Sequence, residues 1–143
     1  MATQASNKFK ELLMKKLIDF ENDTFKIILM QKGFAFSRAN HEVYADVLSE
    51  EHQEGTGYTA GGVALSGVTV TKDDVNNVGL AEWNNASWLA SGGNLEADGA
   101  IIYDDTVASP VIDPIIGYID FGDTYLCYEG GTLAVANIAV AVA

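Results

Sequence analysis

The chain has 143 residues, of which 48% are hydrophobic, and a formal net charge of −12. This length suffices to bury one core, so we expect a single globular unit. No apolar run approaches the roughly 20 residues that span a bilayer. The single cysteine excludes an internal disulfide framework. The excess of acidic residues disfavours binding to the phosphates of nucleic acids.

The charge is unevenly distributed along the chain. Seven basic and four acidic residues lie up to Arg38, whereas beyond it sixteen acidic residues accompany a single lysine, Lys72, for a net charge of −15. The acidic part either serves solubility or repels copies of itself while the basic end docks elsewhere. The N-terminal residues lack the apolar stretch of a secretory signal, which predicts folding in a cytoplasm.

A polar arm over residues 1–5 precedes a predicted amphipathic helix of about 13 residues. Ser6 or Asn7 can cap this helix. Its apolar residues recur at spacings of three and four and share one face: Phe9, Leu12, Leu13, Leu17 and Phe20. A helix of this length is marginal alone in water, so the face packs either on the chain's own sheets or on a partner. The candidate partner-binding residues are Phe9, Leu12, Leu13, Lys15, Lys16 and Leu17.

Short strands and loops are predicted in the part of the chain that follows the helix. Residues 24–30 form a strand with Phe25, Ile27 and Leu29 on its buried face. Residues 42–48 fit a short strand or a helical turn equally well, and 55–62 form a glycine-rich loop. Residues 68–71 read as a half-buried strand whose threonines face water. Further strands are predicted over 78–83, 87–90 and 133–142.

Residues 97–128 are predicted to form the centre of the sheet. Two apolar runs, Ala100–Tyr103 and Ile115–Phe121, flank a link that contains both prolines, and we expect them to be neighbouring strands. Both faces of the second run are largely apolar, which predicts a central strand. Gly122-Asp123 indicates a tight turn into a last strand at 124–128, where Cys127 is expected to be a small core residue.

About eight or nine strands with turns every eight to twelve residues predict a mainly β fold. We expect an antiparallel β-sandwich or a partly closed barrel of Greek-key type, similar to immunoglobulin or jelly-roll folds, with one N-terminal helix. The predicted organisation is an arm and helix over 1–22 and a β-sandwich domain over 23–143.

Few residue patterns in the chain indicate chemistry. His41 and His52 are eleven residues apart, unlike the paired spacing of zinc ligands, and the loop at 55–62 lacks the lysine of a phosphate-binding loop. The pairs Asp73-Asp74 and Asp104-Asp105 could offer oxygen ligands to a cation, although adjacent acids in turns are usually solvated. We therefore predict no enzyme activity, no metal and no cofactor.

An alternative function is carbohydrate binding or adhesion. Amphipathic aromatic rings can stack on the apolar faces of sugars. The candidates for such a surface are Trp83, Trp88, Tyr58 and Tyr103. Trp83 and Trp88, however, lie in short predicted strands, where core packing is the more frequent outcome.

The sequence resembles a family of small structural proteins of tailed-bacteriophage virions. The resemblance lies in Tyr44–Thr71, with its loop Gly55–Leu65 preceded by Gln53-Glu54, then in Gly99–Thr106 and Ile115–Gly122, and it spans residues 25–143. It implies a virion component, such as a capsid decoration subunit or a head-associated connector or fibre-base subunit. The implied partners are the major capsid protein, other virion proteins and further copies of the chain, without nucleic acid or membrane.

Overall fold

The computed structural model describes residues 3–143, and most of its regular secondary structure consists of antiparallel strands. The elements are β1 (Thr3–Ala5), α1 (Asn7–Met14), β2 (Phe25–Met30), a 3₁₀ helix (Tyr44–Glu50), β3 (Val63–Ala64), β4 (Thr69–Asp73), β5 (Val78–Glu82), β6 (Ala86–Leu89), β7 (Leu95–Asp104), β8 (Ile115–Cys127), β9 (Thr132–Val135) and β10 (Ala139–Val142). Within this part of the chain, no helix is long and apolar enough to cross a membrane.

The main sheet has five strands in the order β1-β8-β7-β2-β3. Its two longest strands, β7 and β8, contain the two apolar runs and pair with each other. The predictions that these runs are neighbours and that the second is central are confirmed, since β8 also pairs with β1. The polar arm contributes to this sheet as well, because Thr3–Ala5 is a strand.

Both faces of the main sheet are covered. One face packs on α1 and on two smaller sheets, β10-β5-β4 and β6-β9, around a single large core. The other face is covered by residues 31–50, where Phe34 and Val47 pack on Ile101 and Tyr118. The prediction of a mainly antiparallel, sandwich-like fold with an N-terminal helix is therefore confirmed, and the sheets do not close into a barrel.

The helix ends earlier than its apolar spacing predicts. The Phe9 N–H donates to Ser6 Oγ at 3.0 Å, which caps its start. At the end of the helix, Lys16 has a φ of +62°. The Leu17 N–H donates to Leu12 O at 2.9 Å, and the Lys16 N–H donates to Leu13 O at 3.1 Å. This pair of bonds is a Schellman motif, which usually has glycine where Lys16 stands. Leu17 and Phe20 consequently lie beyond the helix, although both still pack on the core.

Three strand predictions need correction. Residues 122–123 form no turn between strands, because β8 continues through them as a bulge in which residues 121–124 lie opposite Asp98 alone. The predicted strand over 133–142 is two strands, which are separated at Asn137 by a φ of +56°. Strand β4 is exposed on nearly all its length, and Val70 is 46% exposed. The undecided segment 42–48 is largely a 3₁₀ helix.

Candidate functional site

The predicted partner-binding residues divide into a buried and an exposed group. Phe9 and Leu12 are fully buried in the chain's own core, and Leu13 and Leu17 pack partly against it. The apolar face of the helix therefore rests on its own sheets. Lys15 and Lys16 are exposed at the end of α1, so partner binding at this end of the helix stays a prediction.

The exposed end of α1 belongs to a wider surface that sequence reasoning did not identify. We call Lys10, Met14, Lys15, Lys16 and Arg38 the basic surface. Met14 is 87% exposed, and a groove of about 350 Å³ between α1 and β10 is lined by Lys10, Met14 and Arg38. The Asn7 N–H donates to Arg38 O at 2.9 Å, which holds the chain at Arg38 beside the first turn of the helix.

Most of the basic surface carries charge that is not neutralised locally. Lys15 Nζ lies 3.6 Å from Glu11 Oε2. Among residues 3–143, no carboxylate lies within 4.0 Å of Lys10, Lys16 or Arg38. An apolar side chain amid unpaired cations on an otherwise acidic molecule is a surface suited to an acidic protein partner.

The aromatic side chains of the alternative function do not form a surface. Trp83, Trp88, Tyr58 and Tyr103 are all buried in the two cores. Trp83 packs on Phe25 with ring centroids 5.3 Å apart, and the Tyr103 hydroxyl donates to Gly61 O at 2.9 Å. These four rings therefore do not line a sugar-binding face, and the core packing that the sequence favours for Trp83 and Trp88 is what the structure shows.

A buried carboxylate anchors the glycine-rich loop. Glu51 accepts hydrogen bonds from the hydroxyl of Tyr44, from the hydroxyl of Tyr58 at 2.5 Å and from the Gly61 N–H at 2.8 Å. Burial raises the pKa of both tyrosines above the usual range, and the bonds to Glu51 raise it further. Three donors satisfy the buried carboxyl group, so this network fixes the loop.

The histidines and the acidic turns show no shared site. His41 Nδ1 accepts from the Ser37 N–H at 3.0 Å, and His52 packs on Tyr58 with ring centroids 5.1 Å apart. Asp73 accepts from Asn76 and closes its own turn. Within the described part of the chain, no three histidine, cysteine, aspartate or glutamate side chains come together as metal ligands.

Asp104 is the most unusual ionisable group in the structure. It is fully buried, and its Oδ1 accepts from the Thr106 N–H at 2.9 Å. Its Oδ2 meets no N–H or hydroxyl donor among residues 3–143. Burial, together with the hydrogen bond to Asp23, raises the pKa of Asp104 to about 8. A hydrogen bond between two carboxyl groups requires a proton on one of them, which favours the protonated form of Asp104.

Comparisons with known proteins identify no relatives. No family model, curated protein or solved structure matches the chain.

Proposed function

We propose that the chain is a non-enzymatic structural protein of a tailed-bacteriophage virion. It acts as a capsid decoration subunit or as a head-associated connector or fibre-base subunit, after folding in the host cytoplasm. Its partners are the major capsid protein or other virion proteins, and it is present in many copies. The resemblance in residues 25–143 supports this assignment.

The observation that carries the proposal is the basic surface on an acidic sandwich. The part of the chain beyond Arg38 has a net charge of −15, whereas Lys10 and Arg38 line one groove beside α1 and Lys16 is exposed at the end of that helix. Complementary charge fixes orientation and speeds encounter more than it adds affinity. Met14 supplies the apolar contact, and repetition over a symmetric shell makes a small interface sufficient.

The test is co-sedimentation of the purified chain with capsid shells that lack it, followed by cryo-electron microscopy of the mixture. The double variant Lys10→Glu, Lys16→Glu reverses two unpaired charges of the basic surface. The matched control Lys32→Glu, Lys72→Glu makes the same charge change at two exposed lysines elsewhere. We expect the first variant to lose binding and the control to retain it.

Two outcomes would overturn the proposal. Wild-type chain that never sediments with shells removes the virion assignment, and equal losses in both double variants remove the basic surface from it. Binding on a glycan array would favour the carbohydrate-binding alternative, although its four candidate rings are buried.

A further inference from the structure

A polar pocket lies beside the bulge of β8, on the face of the main sheet that residues 31–50 cover. Its volume is about 320 Å³. We call it the aspartate pocket, because three aspartates line it together with two aromatic residues and the backbone of the bulge at 122–124. These side chains are Asp98, Asp120, Asp123, Phe34 and Tyr118.

The chain itself places no cation against the three aspartates. Among residues 3–143, no lysine, arginine or histidine nitrogen lies within 4.0 Å of their carboxylates. Both oxygens of Asp98 are used, since the Gly33 N–H donates to Oδ2 at 2.7 Å and the Thr124 hydroxyl donates to Oδ1. Asp120 and Asp123 each use only Oδ1, for backbone N–H groups of the bulge. Within this part of the chain, their Oδ2 atoms therefore keep their full capacity to accept.

The hydroxyl of Tyr118 is a third acceptor in this pocket, and it has a different origin. Tyr118 is only 3% exposed, and its ring packs on Phe34 with centroids 5.3 Å apart. The end of the side chain lies over Gly99, where a Cβ would clash with the hydroxyl oxygen. Burial and the charges of Asp120 and Asp98 raise the pKa of Tyr118 to about 12, yet neither carboxylate forms a hydrogen bond with it. An enclosed hydroxyl without a partner in the described chain costs free energy that a ligand can recover.

The arrangement of these acceptors suits a cation with several N–H donors. Within residues 3–143, no three acidic side chains come close enough to share a metal ion, so the pocket fits a wider group. A primary ammonium has three N–H donors, and the pocket offers it Asp120 Oδ2, Asp123 Oδ2 and the Tyr118 hydroxyl.

We propose that the aspartate pocket binds a primary ammonium group, which either a free alkylamine or a lysine side chain of another protein supplies. Hydrogen bonds between an ammonium and carboxylates are about twice as strong as neutral ones, and the partly enclosed site screens them less than open water does. This inference rests on the pocket alone and is independent of the virion assignment.

The first probe is n-butylamine, titrated into the ¹⁵N-labelled full chain at low ionic strength. We expect it to shift the amide resonances of Gly33, Asp98 and residues 118–124. Butyltrimethylammonium has the same charge but no N–H donor, and we expect it to bind about tenfold more weakly. Putrescine and a blocked Gly-Lys-Gly peptide distinguish the two sources, since the tighter ligand shows whether a free amine or a protein side chain fits the pocket better.

Two pairs of protein variants separate the pocket from general electrostatics. Tyr118→Phe removes only the hydroxyl, and Tyr125→Phe makes the same change at a position of β8 that is 55% exposed and outside the pocket. Asp120→Asn keeps the Oδ1 acceptor of the bulge, and Asp74→Asn removes an exposed charge in the β4–β5 turn. We expect about a tenfold loss of butylamine affinity for the first member of each pair and no change for the second. Unchanged melting temperatures establish that the variants fold.

Four results would overturn the proposal. Equal affinity for butyltrimethylammonium excludes recognition of N–H donors, and equal losses in Asp120→Asn and Asp74→Asn reduce the effect to net charge. Calcium ions that displace butylamine and shift the same resonances more strongly would assign the pocket to a metal. Butylamine affinity that rises tenfold in Lys32→Gln would show that the chain's own lysine, next to Gly33, occupies the pocket in solution.

Discussion

The contact between the buried Asp104 and the half-buried Asp23 predicts that the fold loses stability as the solution becomes alkaline. Asp104 has a pKa of about 8 in the folded chain against 3.8 as its ordinary value. Between these values the folded chain keeps a proton that the unfolded chain releases. The stabilisation that the proton provides is therefore complete below about pH 4 and is lost as the pH rises through 8.

The size of the effect follows from this shift. One additional proton bound by the folded state changes the free energy of unfolding by about 1.4 kcal/mol per pH unit. Across the window the loss amounts to about 6 kcal/mol, a large fraction of the 5–15 kcal/mol that is typical of a domain. Asp113, whose pKa is raised by burial and by the charge of Asp105, adds a contribution of the same sign.

The assay is urea unfolding from pH 5 to 9, followed by the fluorescence of the buried Trp83 and Trp88. Asp104→Asn keeps the acceptor for the Thr106 N–H and gives Asp23 a permanent N–H donor in place of the shared proton. We expect this variant to lose most of the pH slope and to exceed the wild type in stability at pH 9.

The matched control for this experiment is Asp105→Asn. Asp105 is partly exposed and lies 3.4 Å from Lys26 Nζ, so neutralising it leaves the buried pair in place and the slope should persist. The reasoning is refuted if wild type and Asp104→Asn show the same slope, or if the Asp104 carboxyl titrates below pH 5 by ¹³C NMR.

Three further changes test the folded state by the same unfolding assay. Lys16→Gly should stabilise the chain by about 1 kcal/mol, because glycine adopts the φ of +62° without strain; a lower stability would contradict the Schellman end of α1. Leu12→Ala should cost about 2–5 kcal/mol, since Leu12 is fully buried; a cost below 1 kcal/mol would indicate that α1 packs loosely. Glu51→Gln should cost about 1–3 kcal/mol and speed amide exchange at Gly61, and unchanged exchange would count against the anchor.

The predictable part of the fold is the part that follows from side-chain alternation. Apolar residues on both faces of Ile115–Phe121 require burial on both sides, and the structure places this run at the centre of the main sheet. The same rule explains the buried tryptophans, which sequence reasoning had considered for a sugar-binding surface. Trp83 and Trp88 occupy alternate positions whose neighbours are exposed, a pattern that indicates core packing.

Breaks in backbone conformation were not predictable. Lys16 and Asn137 both adopt a positive φ, yet neither is glycine, so the sequence gives little indication of the helix end or of the break between β9 and β10. Gly122 has a positive φ and suggested a turn, but the chain continues as a bulge because β7 pairs with β8 on both sides of it. The glycine therefore indicates the positive φ at position 122. The sequence does not indicate that β7 and β8 pair on both sides of this residue, which makes the segment a bulge and not a turn.

The open edge of β8 arises from a mismatch in strand length that no local pattern reports. Strand β8 has 13 residues, but β1 has only three and its polar sequence carries no strand signal. It therefore covers a short part of the edge, and from Phe121 to Cys127 the remainder has no strand partner within the described residues. Acidic charge discourages edge-to-edge association of copies, and Asp123 and Glu129 provide it on either side of an uncharged stretch.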